Sequence, residues 1–104
     1  MVEAKNLPPA TRPGKPGAGA GSATATACQL NPSGHVYHVI EVQNTGSSNN
    51  LNVGAEGSQP VVLVPGAAQL FRDCAPNEIW VNSASGTTYG WLGYGRHLAN
   101  ETDS

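Results

Sequence analysis

The chain has 104 residues, a net charge of −2 and a charged-residue content of only 12%. That length bounds it to one domain, and charge this sparse excludes a highly charged disordered chain. The 13 glycines and 8 prolines direct the reading toward short strands, turns and irregular segments.

The charge is unevenly placed. Residues 1–30 carry Lys5, Arg12 and Lys15 against Glu3, a balance of +2, while residues 31–104 balance at −4. A basic segment on an acidic body suits attachment to an acidic protein surface. Three spaced cations are too few for a nucleic-acid footprint, so no nucleic-acid partner is expected. The residues after Met1 lack the apolar core of a secretory signal. No apolar run approaches the ~18 residues of a membrane span. The expectation is a soluble chain made in the cytoplasm, without a membrane partner.

Residues 1–27 read as a separate arm. Pro8, Pro9, Pro13 and Pro16, interleaved with Gly14, Gly17, Gly19 and Gly21, argue against helix and central strand. Residues 18–27 are a small-residue tract, Ala-Gly-Ala-Gly-Ser-Ala-Thr-Ala-Thr-Ala. Composition predicts an extended segment, part polyproline II and part coil. A β-domain over 28–98 and a polar tail over 99–104 complete the division.

Within the domain, Thr24–Leu30 is expected to open the first strand, and Asn31-Pro-Ser-Gly34 has the residue types of a turn. His35–Gln43 is a clear strand, with Val36, His38, Ile40 and Val42 alternating against Tyr37, Val39 and Glu41. Asn44–Asn50 reads as a polar hairpin loop, and Leu51, Val53 and Ala55 alternate in a short strand after it. Val61–Val64 is a short apolar strand ended by Pro65-Gly66, and Ala67–Phe71 is another.

Glu78–Gly95 is the aromatic centre of the chain, with both tryptophans and two of the three tyrosines. It reads as two strands joined by a tight Ser83-Ala84-Ser85-Gly86 hairpin turn. Ile79 and Val81 share one face and Trp80 the other; Tyr89 and Trp91 share a face opposite Leu92 and Tyr94. Trp80, Tyr89, Trp91 and Tyr94 therefore form either core or a contact face. Gly90, Gly93 and Gly95 mark bulges or close approach by another backbone. Turns recur about every ten residues, the spacing of an all-β sandwich or small jelly-roll-like barrel. A core this small calls for a staple or for oligomerisation.

Chemistry-bearing residues are few. Cys28 and Cys74 are the two cysteines. Their state stays open between a disulfide, which would close a long loop and add about 4 kcal/mol in the chain-entropy model, and two buried thiols. His35 and His38 fall on opposite strand faces, and with His97 they match no metal-ligand spacing. Asp73 and Glu78 read as loop and strand-edge charges. No phosphate loop or nucleophile elbow occurs. No enzyme activity, metal or cofactor is expected.

Asn44-Thr-Gly46, Leu51-x-Val53-Gly54, Val64-Pro-Gly66 and Ile79-Trp-Val-Asn-Ser-Ala-Ser-Gly-Thr87 resemble the small decoration (cement) and head-fibre proteins of tailed double-stranded DNA bacteriophages. The resemblance covers residues 35–95. It implies a compact β-domain, a homo-oligomer with a trimer favoured, and a seat on the outer capsid face of the virion. It makes the major capsid protein the partner and residues 1–27 a clamp across neighbouring subunits, contacting them through Lys5, Leu7, Pro8, Pro9, Arg12 and Lys15. Phage neck and tail accessory proteins have a similar texture. A carbohydrate-binding module with Trp80, Trp91 and Tyr94 as stacking platforms is the competing expectation.

Overall fold

The computed structural model describes residues 16–96. The expected arm contacts Lys5, Leu7, Pro8, Pro9, Arg12 and Lys15 lie outside the described residues, as do His97 and the polar tail.

The strands are β1 (Gly17–Ala23), β2 (Cys28–Gln29), β3 (Tyr37–Asn44), β4 (Leu51–Ala55), β5 (Ser58–Leu63), β6 (Ala68–Cys74), β7 (Trp80–Asn82) and β8 (Thr87–Arg96). A single 3-10 turn, Pro76–Glu78, is the helical element among the described residues. The strands form two four-stranded sheets, β1-β8-β3-β6 (sheet A) and β2-β7-β4-β5 (sheet B).

The wiring is a nested hairpin. β1 pairs with β8, β2 with β7, β3 with β6 and β4 with β5, all antiparallel. This long hairpin is folded over so that most consecutive strands change sheet, which is the eight-stranded jelly roll. Among the described residues, only β4 and β5 are a local hairpin, joined at Glu56-Gly57 with Gly57 at φ 86°.

Two expected hairpins are therefore corrected. The Ser83–Gly86 turn does not pair its flanking strands, because β7 belongs to sheet B and β8 to sheet A. It closes on a Gly86 N–H to Ser83 C=O bond with Gly86 at φ 87°, and it carries the chain across the sandwich. Likewise Thr45–Asn50 leads from β3 to β4 on the other sheet.

The largest correction concerns residues 17–23. Expected as part of the arm, they form β1, an edge strand paired residue for residue with β8, from Gly17 opposite Gly93 to Ala23 opposite Thr87. Ala18, Ala20 and Ser22 face outward and are exposed; Gly17, Gly19 and Gly21 face the core. The glycines are there because rings occupy the space their side chains would take. A Cβ on Gly19 would strike the Trp91 indole, and one on Gly21 the Tyr89 phenol. The Tyr37 ring lies across Gly93 and brings its hydroxyl to Gly17.

Between the sheets, Ile40 and Val42 of β3 meet Leu51 and Val53 of β4 and Val81 of β7, all 0% exposed. Tyr37 and Trp91 pack edge to face, with centroids 6.0 Å apart at 62°. The Tyr89 hydroxyl donates to the Leu30 carbonyl (3.0 Å) just after β2, tying the sheets together. One alternation differs from the pattern in the sequence: Tyr37 is buried and His38 exposed. The flanking strands accommodate this with left-handed backbone at Gly95 (φ 67°) and Asp73 (φ 53°).

Gly19→Val should therefore overpack the seam and lower unfolding free energy by about 1–3 kcal/mol. Ala20→Val, on the exposed face of the same strand, should stay within about 0.5 kcal/mol. Urea titration followed by tryptophan fluorescence distinguishes the two; equal effects would mean that residues 17–23 are not held as described.

Candidate functional site

At one end of the sandwich, the loops 45–50 and 83–86 and the start of β8 are gathered around Asn44, which is 0% exposed. Its amide donates to the carbonyls of Asn49 and Leu63, both at 2.8 Å. Its Oδ1 accepts from the Gly46 N–H (3.0 Å) and the Thr87 hydroxyl (2.9 Å). Asn49 then donates to the Gly86 carbonyl (2.7 Å), and Ser83 Oγ to the Asn50 carbonyl (2.7 Å). One buried amide thus fixes both crossovers and the end of β5. Sequence reasoning placed Asn44 only at the start of a loop. The available signal was parity: Asn44 continues the inward series Ile40, Val42.

Two shallow polar grooves flank these loops. One, of about 330 Å³, is lined by Asn49, Asn50, Asn52, Ser83 and Ser85 among others. The other, of about 380 Å³, runs from Thr45 to Asn49 and Gly86 to Thr88. Both are built from amides and hydroxyls, which bind neutral polar groups. Asn82 Oδ1, opposite Asn52 in register, is buried without a hydrogen-bond partner among the described residues.

The outer face of sheet A is a different surface. Its registers place Ala18, Leu92, Glu41 and Leu70 in one row, and Ala20, Gly90, Gln43 and Ala68 in the next. A third row holds Tyr94, Val39 and Arg72. Leu70 and Tyr94 are 48% and 45% exposed. The face is broad, pleated and mostly apolar or small, with Glu41 and Arg72 as its charges. Glu41, Gln43, Gly90 and Leu92 surround a depression of about 260 Å³.

The aromatic residues divide between these surfaces and the core. Tyr89 and Trp91 are buried. Tyr94 is outward on the same strand, and Trp80 is half-buried on sheet B. Trp80, Trp91 and Tyr94 thus do not share a face, and no single stacking platform is made from them.

Cys28 and Cys74 are free thiols, on edge strands of opposite sheets. Burial pushes the Cys74 thiol up, and the nearby carboxylates of Glu78 and Asp73 push it further in the same direction. The Tyr89 hydroxyl is raised by burial and then by Cys28. His38 Nδ1 lies 3.6 Å from Asp73 Oδ1, with both side chains well exposed. Among the described residues, no group of three His, Cys, Asp or Glu side chains converges to hold a metal.

No protein-family model and no curated protein sequence matches this chain significantly. One solved chain of similar shape comes from work on Bacillus endospore appendages, described as a novel family of disulfide-linked pili. It is 13% identical, with a TM-score of 0.47, over 82% of this chain and 88% of that one.

Asn44→Ala strips partners from four groups and should cost about 3 kcal/mol, lowering the midpoint of thermal unfolding by more than 10 °C on the usual scaling of roughly 4–8 °C per kcal/mol. A midpoint within a few degrees of the parent would show that the loops stand without it. Cys74 and Tyr89 both hold their protons more tightly in the folded chain than in the unfolded one. Their contribution to stability is therefore full below the unfolded values and falls as pH rises through the raised ones, from about pH 9 upward. The rate of Cys74 alkylation follows its thiolate fraction, so it should still be climbing about tenfold per pH unit up to pH 9; a rate already at its plateau at neutral pH would contradict the assignment.

Proposed function

We propose that this chain is a structural protein of a phage virion, which decorates the capsid and stabilises it through contacts with the major capsid protein. The observation that carries the reading is the anchoring of the basic segment. Lys5, Arg12 and Lys15 precede β1 directly, and β1 is laddered to β8 over its seven residues. A load on the segment is thus borne by a whole row of backbone hydrogen bonds rather than by a loop. The mostly apolar outer face of sheet A supplies the broad contact, and the segment supplies reach and positive charge. A symmetric, repetitive partner would engage many copies of the segment together, which multiplies the affinity of each contact.

Co-sedimentation with purified phage capsids tests the reading, using the full chain and a chain lacking residues 1–15. The cut stops at 15 because a deletion to residue 27 removes β1 and uncovers Trp91. Binding by the full chain, reduced at least about tenfold by the deletion, is expected. Binding only to tail or neck assemblies would move the protein to that station, and no binding to any particle would refute the reading.

A further inference from the structure

The four sheet edges are not equally protected against pairing with other chains. Unpaired edge strands are sticky, and proteins blunt them with short length, prolines, charges or bulges. In sheet B, β2 is two residues long. β5 contains Pro60 and faces a register shift between Val53 and Ala55. In sheet A, β6 carries Arg72 and Asp73 and bends at the left-handed Asp73. β1 has none of these devices. It is seven residues of Gly, Ala and Ser, with no charge, no proline and no register shift, and among the described residues it pairs on one side only.

The geometry points to β1 as a self-association edge, where it pairs with β1 of a second copy of this chain, antiparallel about a two-fold axis at Ala20. The strand's own composition selects this occupant. Side chains directly opposite in an antiparallel pair share a face, so only registers that set the core-facing Gly17, Gly19, Gly21 and Ala23 of one copy beside those of the other are allowed. The register centred on Ala20 pairs all seven residues of 17–23. It sets Ala20 against its own counterpart, Gly19 against Gly21, Ala18 against Ser22, and Gly17 against Ala23. Shifting by the next allowed step leaves five pairs. No side chain larger than a hydroxymethyl meets another, and no like charges face each other. The result is a closed dimer with one eight-stranded sheet, within the usual span of open sheets. This outcome differs from the trimer that the resemblance implies.

The dimer has a consequence for the chain before β1. Because the paired strands run in opposite directions, the two N-terminal segments leave from opposite ends of the joint. The outer faces of the two A sheets become one surface carrying Leu70, Leu92 and Tyr94 twice. The inference does not depend on the capsid reading, and it is tested without capsids.

Sedimentation velocity of the full chain over roughly two decades of concentration should show a reversible monomer–dimer equilibrium. Ala20→Lys places an ammonium against its own copy on an exposed position, and like charges directly opposite destabilise a strand pair. The dimer should weaken at least about tenfold, while Leu70→Lys on β6 should leave it unchanged. Ala20→Cys gives a positive readout, because opposed antiparallel residues lie about 4.5–5.5 Å apart at Cα, inside the range a disulfide spans. Mild oxidation should yield a peptide linked from position 20 to position 20, identified by mass spectrometry, and Ala68→Cys on β6 should give no such link. A chain that stays monomeric throughout, a dimer indifferent to Ala20→Lys, or linkage through position 68 instead of 20 would overturn the inference.

Discussion

The rings of Tyr37, Tyr89 and Trp91 set the terms for the rest of the molecule. Each has a large apolar area to bury, and the sandwich between the sheets is filled on its other side by Ile40, Val42, Leu51, Val53 and Val81. The rings lie instead toward the flank of sheet A, across a strand that presents only hydrogens to them. β1 thus completes the core by contributing backbone rather than side chains. Without it, Trp91 and Tyr89 would face water along the edge of β8, and the Tyr89–Leu30 bond between the sheets would lose its cover. The 24–27 crossover depends on the same seam, since the Ser83 N–H donates to the Thr24 carbonyl only when β1 brings that segment alongside.

Much of the sheet architecture was legible from alternation. Ile40 and Val42, Leu51 and Val53, Ile79 and Val81, and Tyr89 and Trp91 carry large apolar groups at period two, and each pair faces the core. The same period exists in Gly17-Ala-Gly-Ala-Gly21, but glycine and alanine differ too little in hydropathy for it to register as a strand. Its meaning lies in partners far along the chain, where Trp91 and Tyr89 stand opposite Gly19 and Gly21. A tight turn also says nothing about which strands pair. Ser83–Gly86 has hairpin residue types, yet Asn49 and Ser83 bind it into a crossover. The burial of Tyr37 in place of His38 depends on left-handed backbone at Gly95 and Asp73, on neighbouring strands.

The candidate site was less legible, for a related reason. Asn44 acts through four hydrogen bonds to groups at 46, 49, 63 and 87, and such convergence has no local pattern. Cys28 and Cys74, which draw attention in a sequence, sit on edge strands of opposite sheets, and His38 lies in an exposed pair with Asp73. The fold sets a basic stretch of sequence before a laddered strand, a broad face of small and apolar residues beside that strand, and an end whose loops are locked by one amide.

The most direct test of this account is amide hydrogen exchange on the full chain, resolved at residues 17–23. A laddered β1 predicts that its amides bonded to β8 exchange far more slowly than an unstructured Gly/Ala tract, together with nuclear Overhauser contacts from the Gly19 Hα protons to the Trp91 indole. Exchange at random-coil rates across the segment, with no contact to Trp91, would contradict the account and return these residues to the arm.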